Sequence, residues 1–132
     1  MSDLVRVAVD AMGGDYAPVE PVKGAVEAVN ADERVKVQLV GQVDVIEKEL
    51  QKYTYPKERV EIVPATEIIE TGEPPVNAIR HKKDSSIVVG MKKVRCGEAD
   101  AFVSSGSTGA VLVGGQTIVG RIKGVEHPPL AP

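Results

Sequence analysis

Apolar and polar positions along this chain alternate between two periods. Residues 4–9 (LVRVAV) form a β-branched and small apolar run, broken only by Arg6 and stopped by Asp10, the pattern of a buried first strand. Val22, Ala25, Val26 and Val29 then recur at i, i+3, i+4 and i+7, one stripe of a helix that opens at Pro18 and Pro21 and ends near Asn30. Residues 35–40 (VKVQLV) read as a second strand closed by Gly41. Val43, Ile46 and Leu50 mark a second amphipathic helix before a turn at 53–57, and residues 59–63 (RVEIV) give a third strand ended by Pro64.

Gly72, Pro74 and Pro75 rule out one long helix over 65–75, which reads as an ordered loop or short strand. A short helix over 76–80 follows. Asp84 or Ser85 then caps a longer one, along which Ile87, Val88, Met91 and Val94 face inward and which Gly97 ends. Residues 100–103 (DAFV) are a fourth strand, 104–109 a turn, and 110–119 a last helix weakened by Gly114 and Gly115. Strands alternating with helices predict a single α/β domain, residues 1–132, around an open, mainly parallel sheet. Such a sheet normally continues with more strands, so the chain reads as the front part of a longer protein.

With 132 residues and 42% of them hydrophobic, the chain can bury one core. Its 16 basic and 19 acidic residues leave a net charge of -3 without a block of either sign, so no nucleic-acid partner is expected. Lys82, Lys83, Lys92, Lys93 and Arg95 read as a solvated helix face. Cys96 is the single cysteine, which excludes an internal disulfide, fits a reducing, cytoplasmic setting, and is expected to be a small core residue. The N-terminus lacks the pattern of a signal peptide, and no run of about 18 apolar residues could span a bilayer.

Two glycine-rich loops fall where strands run into helices, the end of an open parallel sheet at which ligands gather. Ser104, Ser105, Gly106, Ser107, Thr108 and Gly109 offer four hydroxyls, close backbone approach and the N–H groups of a starting helix, a setting for a small anion. The same residues could equally cap the helix and make the turn. In the other loop, residues 10–15 (DAMGGD), Gly13 and Gly14 can take the positive φ angles of an anion-cradling nest. Asp10 and Asp15 fit better as acceptors, as partners of a base, or as a cap, with Asp15 capping the first helix. Neither G-x-G-x-x-G after a strand nor G-x-x-x-x-G-K-[ST] occurs, so NAD and ATP are poor candidates. His81 and His127 stand far apart without metal-ligand neighbours, so no metal or other cofactor is expected.

Val9 to Asp15 with Ala17 and Pro18, the 78–86 stretch with Arg80, Lys83, Asp84, Ser85 and Ser86, residues 97–109, and residues 121–131 (RIKGVEHPPLA) together resemble the N-terminal part of the bacterial phosphate acyltransferases of the PlsX type, the fatty acid and phospholipid synthesis proteins. The resemblance covers essentially the whole chain and implies a sheet like that of isocitrate and isopropylmalate dehydrogenases and phosphotransacetylases. It implies reversible transfer of a long-chain acyl group from acyl carrier protein to inorganic phosphate, and a homodimer working peripherally at the inner membrane face. On that basis Ser105, Gly106, Ser107, Thr108 and Gly109 bind phosphate or acyl phosphate, Asp10, Gly13 and Gly14 line the same crevice, and Arg80 and Lys83 balance charge. No residue stands out as a nucleophile, so transfer is expected to be direct. This sequence departs from the family at Ser107, where Asn is usual, and at Ser105, where Ala is usual. A chain ending at Pro132 is expected to be inactive alone. The competing readings are a phosphotransacetylase-like enzyme using acetyl-CoA and a non-catalytic anion-binding module.

Overall fold

The β-branched runs pair into one sheet in the computed structural model, which describes residues 4–70, 72–106 and 108–114. Strands β1 (Val5–Asp10), β2 (Val35–Gly41), β3 (Val60–Pro64) and β4 (Ala101–Val103) are all parallel and lie in the order β3-β2-β1-β4. The helices are α1 (Val19–Ala31), α2 (Val43–Leu50), α3 (Pro75–His81), α4 (Ser86–Arg95) and α5 (Thr108–Gly114), with a 3-10 turn at Lys57–Arg59.

Successive strand residues point to opposite faces, and each face is covered by its own helices. On one face Val37 and Leu39 of β2 pack against Val22, Ala25, Val26 and Val29 of α1 and Ile46 and Leu50 of α2. On the other, Ala8 and Val40 join Val63 and Ala65, with Val89 and Val94 of α4 packed on them. Ile79, Ile87, Val88, Met91 and Ala110 tie α3, α4 and α5 together beside that layer. The four apolar residues predicted for the first helix stripe are its buried residues.

The order of strands fixes where the two loops meet. From β1 the chain steps outward to β2 and β3, then returns to add β4 on the far side of β1. The strand order therefore reverses between β1 and β4, the place where an open α/β sheet leaves a crevice at its carboxyl end. β4 has a bare side as well: Val103 is 52% exposed on the α1 side of the sheet.

Several local expectations change. Ser85, not Asp84, caps α4, its Oγ accepting from Val88 N–H at 3.2 Å, while the Asp84 carboxylate accepts from Thr66 N–H and Oγ1–H. Gly97 ends α4 with φ 76°, as Gly97 N–H reaches Val94 O and Glu98 N–H reaches Lys93 O, a Schellman closure. That closure leaves Cys96 at the cap, where it is exposed and not a core residue. Asp15 does not cap α1, because Pro18 holds that position and no side chain caps it. Arg59 belongs to the 3-10 turn, where its guanidinium donates to the carbonyls of Val29, Asp32 and Val35 at 2.8–2.9 Å and binds the end of α1 to the sheet. Lys82 is no solvated surface charge: it pairs with Glu73 and donates to Ile68 O, which holds the 65–74 loop.

Arg6 and Asp100 fasten the start of β4 to β1. Arg6 N–H donates to Asp100 Oδ2 at 2.8 Å, Asp100 N–H donates to Arg6 O at 2.7 Å, and the guanidinium pairs with Oδ1 at 3.3 Å. The backbone hydrogen bond from Arg6, followed by its side-chain bond, holds the Asp100 carboxyl below its ordinary 3.8. A carboxyl depressed in the folded state stabilises that state above its unfolded value, and the effect is lost as pH falls through the folded value. Acidification below 3.8 is therefore expected to loosen β4. Hydrogen exchange of β4 amides checks this, and Asp100→Asn removes that part of the acid dependence.

Candidate functional site

Val9 and Val103 are register partners, so the residues that follow them, Asp10 at the end of β1 and Ser104 just past β4, stand side by side at the carboxyl end of the sheet. Ser104 Oγ–H donates to Asp10 Oδ2 at 2.8 Å, and Ser104 Oγ accepts from Gly106 N–H at 3.0 Å. Met12 N–H donates to Asp10 Oδ1 at 3.0 Å. Asp10 is 2% exposed, so its carboxylate lies beneath the two loops and joins them.

At Gly13 there is no room for a side chain, and at Gly106 the space is tight. A Cβ on Gly13 would lie 2.5 Å from Asp10 Oδ2 and 2.8 Å from Gly106 N; one on Gly106 would lie 3.3 Å from Gly13 Cα. Of the two glycines expected at positive φ, only Gly14 adopts it, at 92°, and there a Cβ would lie 3.2 Å from Ser105 Cβ. Gly14, Asp15 and Ser105 are exposed members of the pair of loops, and Gly13 is buried below them.

The structure thus brings together Asp10, Gly13, Gly14, Ser105 and Gly106. Gly106 N–H is turned inward to Ser104, so it is not among the donors facing outward. Thr108 opens α5, and Gly109 lies against α3, where an added Cβ would come 2.6 Å from Pro75 Cγ. Ser107, His127 and the 121–131 stretch lie outside the described residues, and the helix expected over 110–119 begins at Thr108 and is described to Gly114. Arg80 and Lys83 are not brought in: both are exposed, and among the described residues neither bonds to either loop. Sequence reasoning counts Ser104 among the loop's four hydroxyls but not among the residues assigned to the phosphate, and it does not foresee the bond to Asp10. The signal for it was its place directly after the fourth strand, as Asp10 directly follows the run of the first.

Beneath the loops a groove of about 400 Å³ opens between α1 and the sheet face that α1 leaves bare. Val7, Val9, Val37 and Val103 form its floor, Pro21, Ala25 and Ala28 its wall, and Asp10, Gly13, Gly14, Ser104 and Ser105 its head, with the carboxylates of Asp15 and Glu20 also on its lining. A polar head over an apolar trough can receive a molecule that is anionic at one end and hydrocarbon at the other. Among the described residues no group of three or more His, Cys, Asp or Glu gathers to hold a metal ion. No helix among them is long and apolar enough to cross a membrane.

Residues 5–132 match the sequence profile of the fatty acid synthesis protein family. The phosphate acyltransferase of Alkaliphilus oremlandii is 51% identical over 129 residues, covering 97% of this chain and 38% of that protein. That of Clostridium beijerinckii is 50% identical over 128 residues, with 97% and 38% covered. That of Syntrophomonas wolfei is 48% identical over 126 residues, with 96% and 39% covered. The chain therefore spans under two fifths of the length of these relatives.

Proposed function

This chain belongs to the fatty acid synthesis protein family, and from that premise we propose that it is the N-terminal portion of an acyltransferase. The enzyme moves a long-chain acyl group from acyl carrier protein to inorganic phosphate, feeding phospholipid synthesis. The observation that carries the reading is the meeting of the two glycine-rich loops at the head of an apolar groove. An acyl phosphate has that polarity, a phosphate on a carbonyl followed by hydrocarbon. The relatives' name, phosphate acyltransferase, supports the same chemistry.

In the reaction a phosphate oxygen attacks the thioester carbonyl, the carbonyl oxygen takes up negative charge, and the carrier thiolate leaves as the C–S bond breaks. The protein must hold a dianion and a developing oxyanion within bonding distance, and hydrogen-bond donors fixed in advance do both. The exposed backbone around Gly14 and Ser105 stands where such donors are needed, and since the family usually has Ala at Ser105 its hydroxyl is an addition to them. Ser104 is held as a structural group, its proton on Asp10 and one lone pair on Gly106 N–H, and no other side chain among the residues at the head of the groove is taken as a nucleophile. Transfer is accordingly direct, with no acyl-enzyme. The rest of the reading extends to a sheet of the isocitrate and isopropylmalate dehydrogenase type, a homodimer, and cytoplasmic work at the inner membrane face.

The test joins this chain to the remaining part of the Alkaliphilus oremlandii relative and supplies phosphate with an acyl-carrier thioester. Phosphate-dependent formation of acyl phosphate is expected. Ser105→Ala, which installs the residue usual in the family, should leave the phosphate KM within about threefold. Gly14→Ala, at φ 92° and with its Cβ 3.2 Å from Ser105 Cβ, should raise it by about tenfold or more. Thioester loss that ignores phosphate, or turnover of acetyl-CoA alone, overturns the reading.

A further inference from the structure

Asp10 is buried, yet both of its oxygens are taken by donors from the chain itself, Ser104 Oγ–H and Met12 N–H. We propose that Asp10 and Ser104 are positioning residues, whose polar atoms at the head of the groove are engaged with each other, Met12 and Gly106, and which set the 104–106 loop for the anion. The proposal rests on the reading that this loop binds phosphate.

Because the Ser104 proton is held by Asp10, the lone pairs of Oγ are left to accept, and Gly106 N–H takes one of them. That second bond draws Gly106 inward and bends the chain at Ser105, so the exposed Ser105 is carried against Gly14. Two hydrogen bonds in series thus transmit the fixed position of β1 to a loop 94 residues further along. Polar networks of this kind hold only when every member is satisfied. A carboxylate suits this place because it presents acceptors at both oxygens, whereas an amide presents one acceptor and one donor. Its burial also keeps the negative charge off the surface that faces an anion.

The joined protein described above carries the test. Ser104→Ala removes both bonds and should raise the phosphate KM by about tenfold, leaving the KM of the acyl thioester within about twofold. Ser104→Thr, which keeps the hydroxyl, should stay within about threefold of the unsubstituted protein on the same scale. Asp10→Asn reverses the bond to Ser104 and should raise the phosphate KM in the same way. The double variant should be no worse than either single one, since both break one series. A carboxylate acting only through its charge gives the opposite sign: its removal lowers the phosphate KM, and that result overturns the proposal. Hydrogen exchange supplies a readout apart from turnover, with the Gly106 amide exchanging about tenfold faster in Ser104→Ala while β2 amides stay unchanged. No phosphate dependence in the unsubstituted protein strikes the functional reading. Phosphate dependence with an unaltered KM in Ser104→Ala strikes the proposal alone.

Discussion

Gly13→Ala should cut phosphate-dependent kcat/KM by about a hundredfold or more, while the protein keeps its fold. The added methyl carbon would lie 2.5 Å from Asp10 Oδ2 and 2.8 Å from Gly106 N, and neither can step aside cheaply. Asp10 is held by Ser104 and Met12, and Gly106 N is backbone already bonded to Ser104 Oγ. The two loops must separate, and a displacement of about 1 Å in a positioning element is enough for a loss of this size. Neither face of the sheet depends on Gly13, so circular dichroism should change little, while the cost of parting the buried Asp10 carboxylate from its partners lowers the midpoint of unfolding. Steady-state kinetics on the joined protein decides the matter: a loss below about threefold would mean that the loops accept a methyl group between them, and the close contact would then have no functional weight.

The second large effect concerns stability. Leu39 is fully buried in β2, between its register partners Val9 and Ile62, and belongs to the layer under α1 and α2. Leu39→Ala removes buried hydrocarbon and leaves a cavity in a central strand that cannot collapse around it, a loss of about 2–5 kcal/mol. Domains of this size have about 5–15 kcal/mol in total, so the substitution takes a large part of the margin. Chemical denaturation checks it. An unfolding midpoint shifted by less than about 1 kcal/mol would contradict the packing described for this layer.

The strands and helices were legible because burial writes its period into the sequence. Val22, Ala25, Val26 and Val29 could mark only a helix stripe, and residues 35–40 only a strand, and both stand where they were expected. The glycine loops were legible for a similar reason, since Gly13, Gly14 and Gly106 sit at the ends of such runs. The bond between Asp10 and Ser104 was not legible, because it depends on β4 lying beside β1 and not beyond β3. Strand order is a contest between distant surfaces and leaves no local period. Arg59 was misread for the opposite reason: period alone assigned it to a strand, but its guanidinium meets three carbonyls that no spacing reveals. Cys96 and Asp15 were assigned by residue habit, and the geometry of the helix ends decided otherwise.

The long span between β1 and β4 also sets the order in which the molecule is made. Both Arg6–Asp100 and Asp10–Ser104 join residues 94 apart, far more than separates β1 from β2 or β2 from β3. Each doubling of the segment to be closed adds about 0.6 kcal/mol of entropy before any contact rewards it. The β1–β2–β3 layer can therefore form while β4 is still loose, and the paired loops come into existence only when β4 docks on β1. Opening of β4 alone would part the loops again. A phosphate held across the loops accordingly slows that opening and selects the fully folded chain from those that have stopped one strand short.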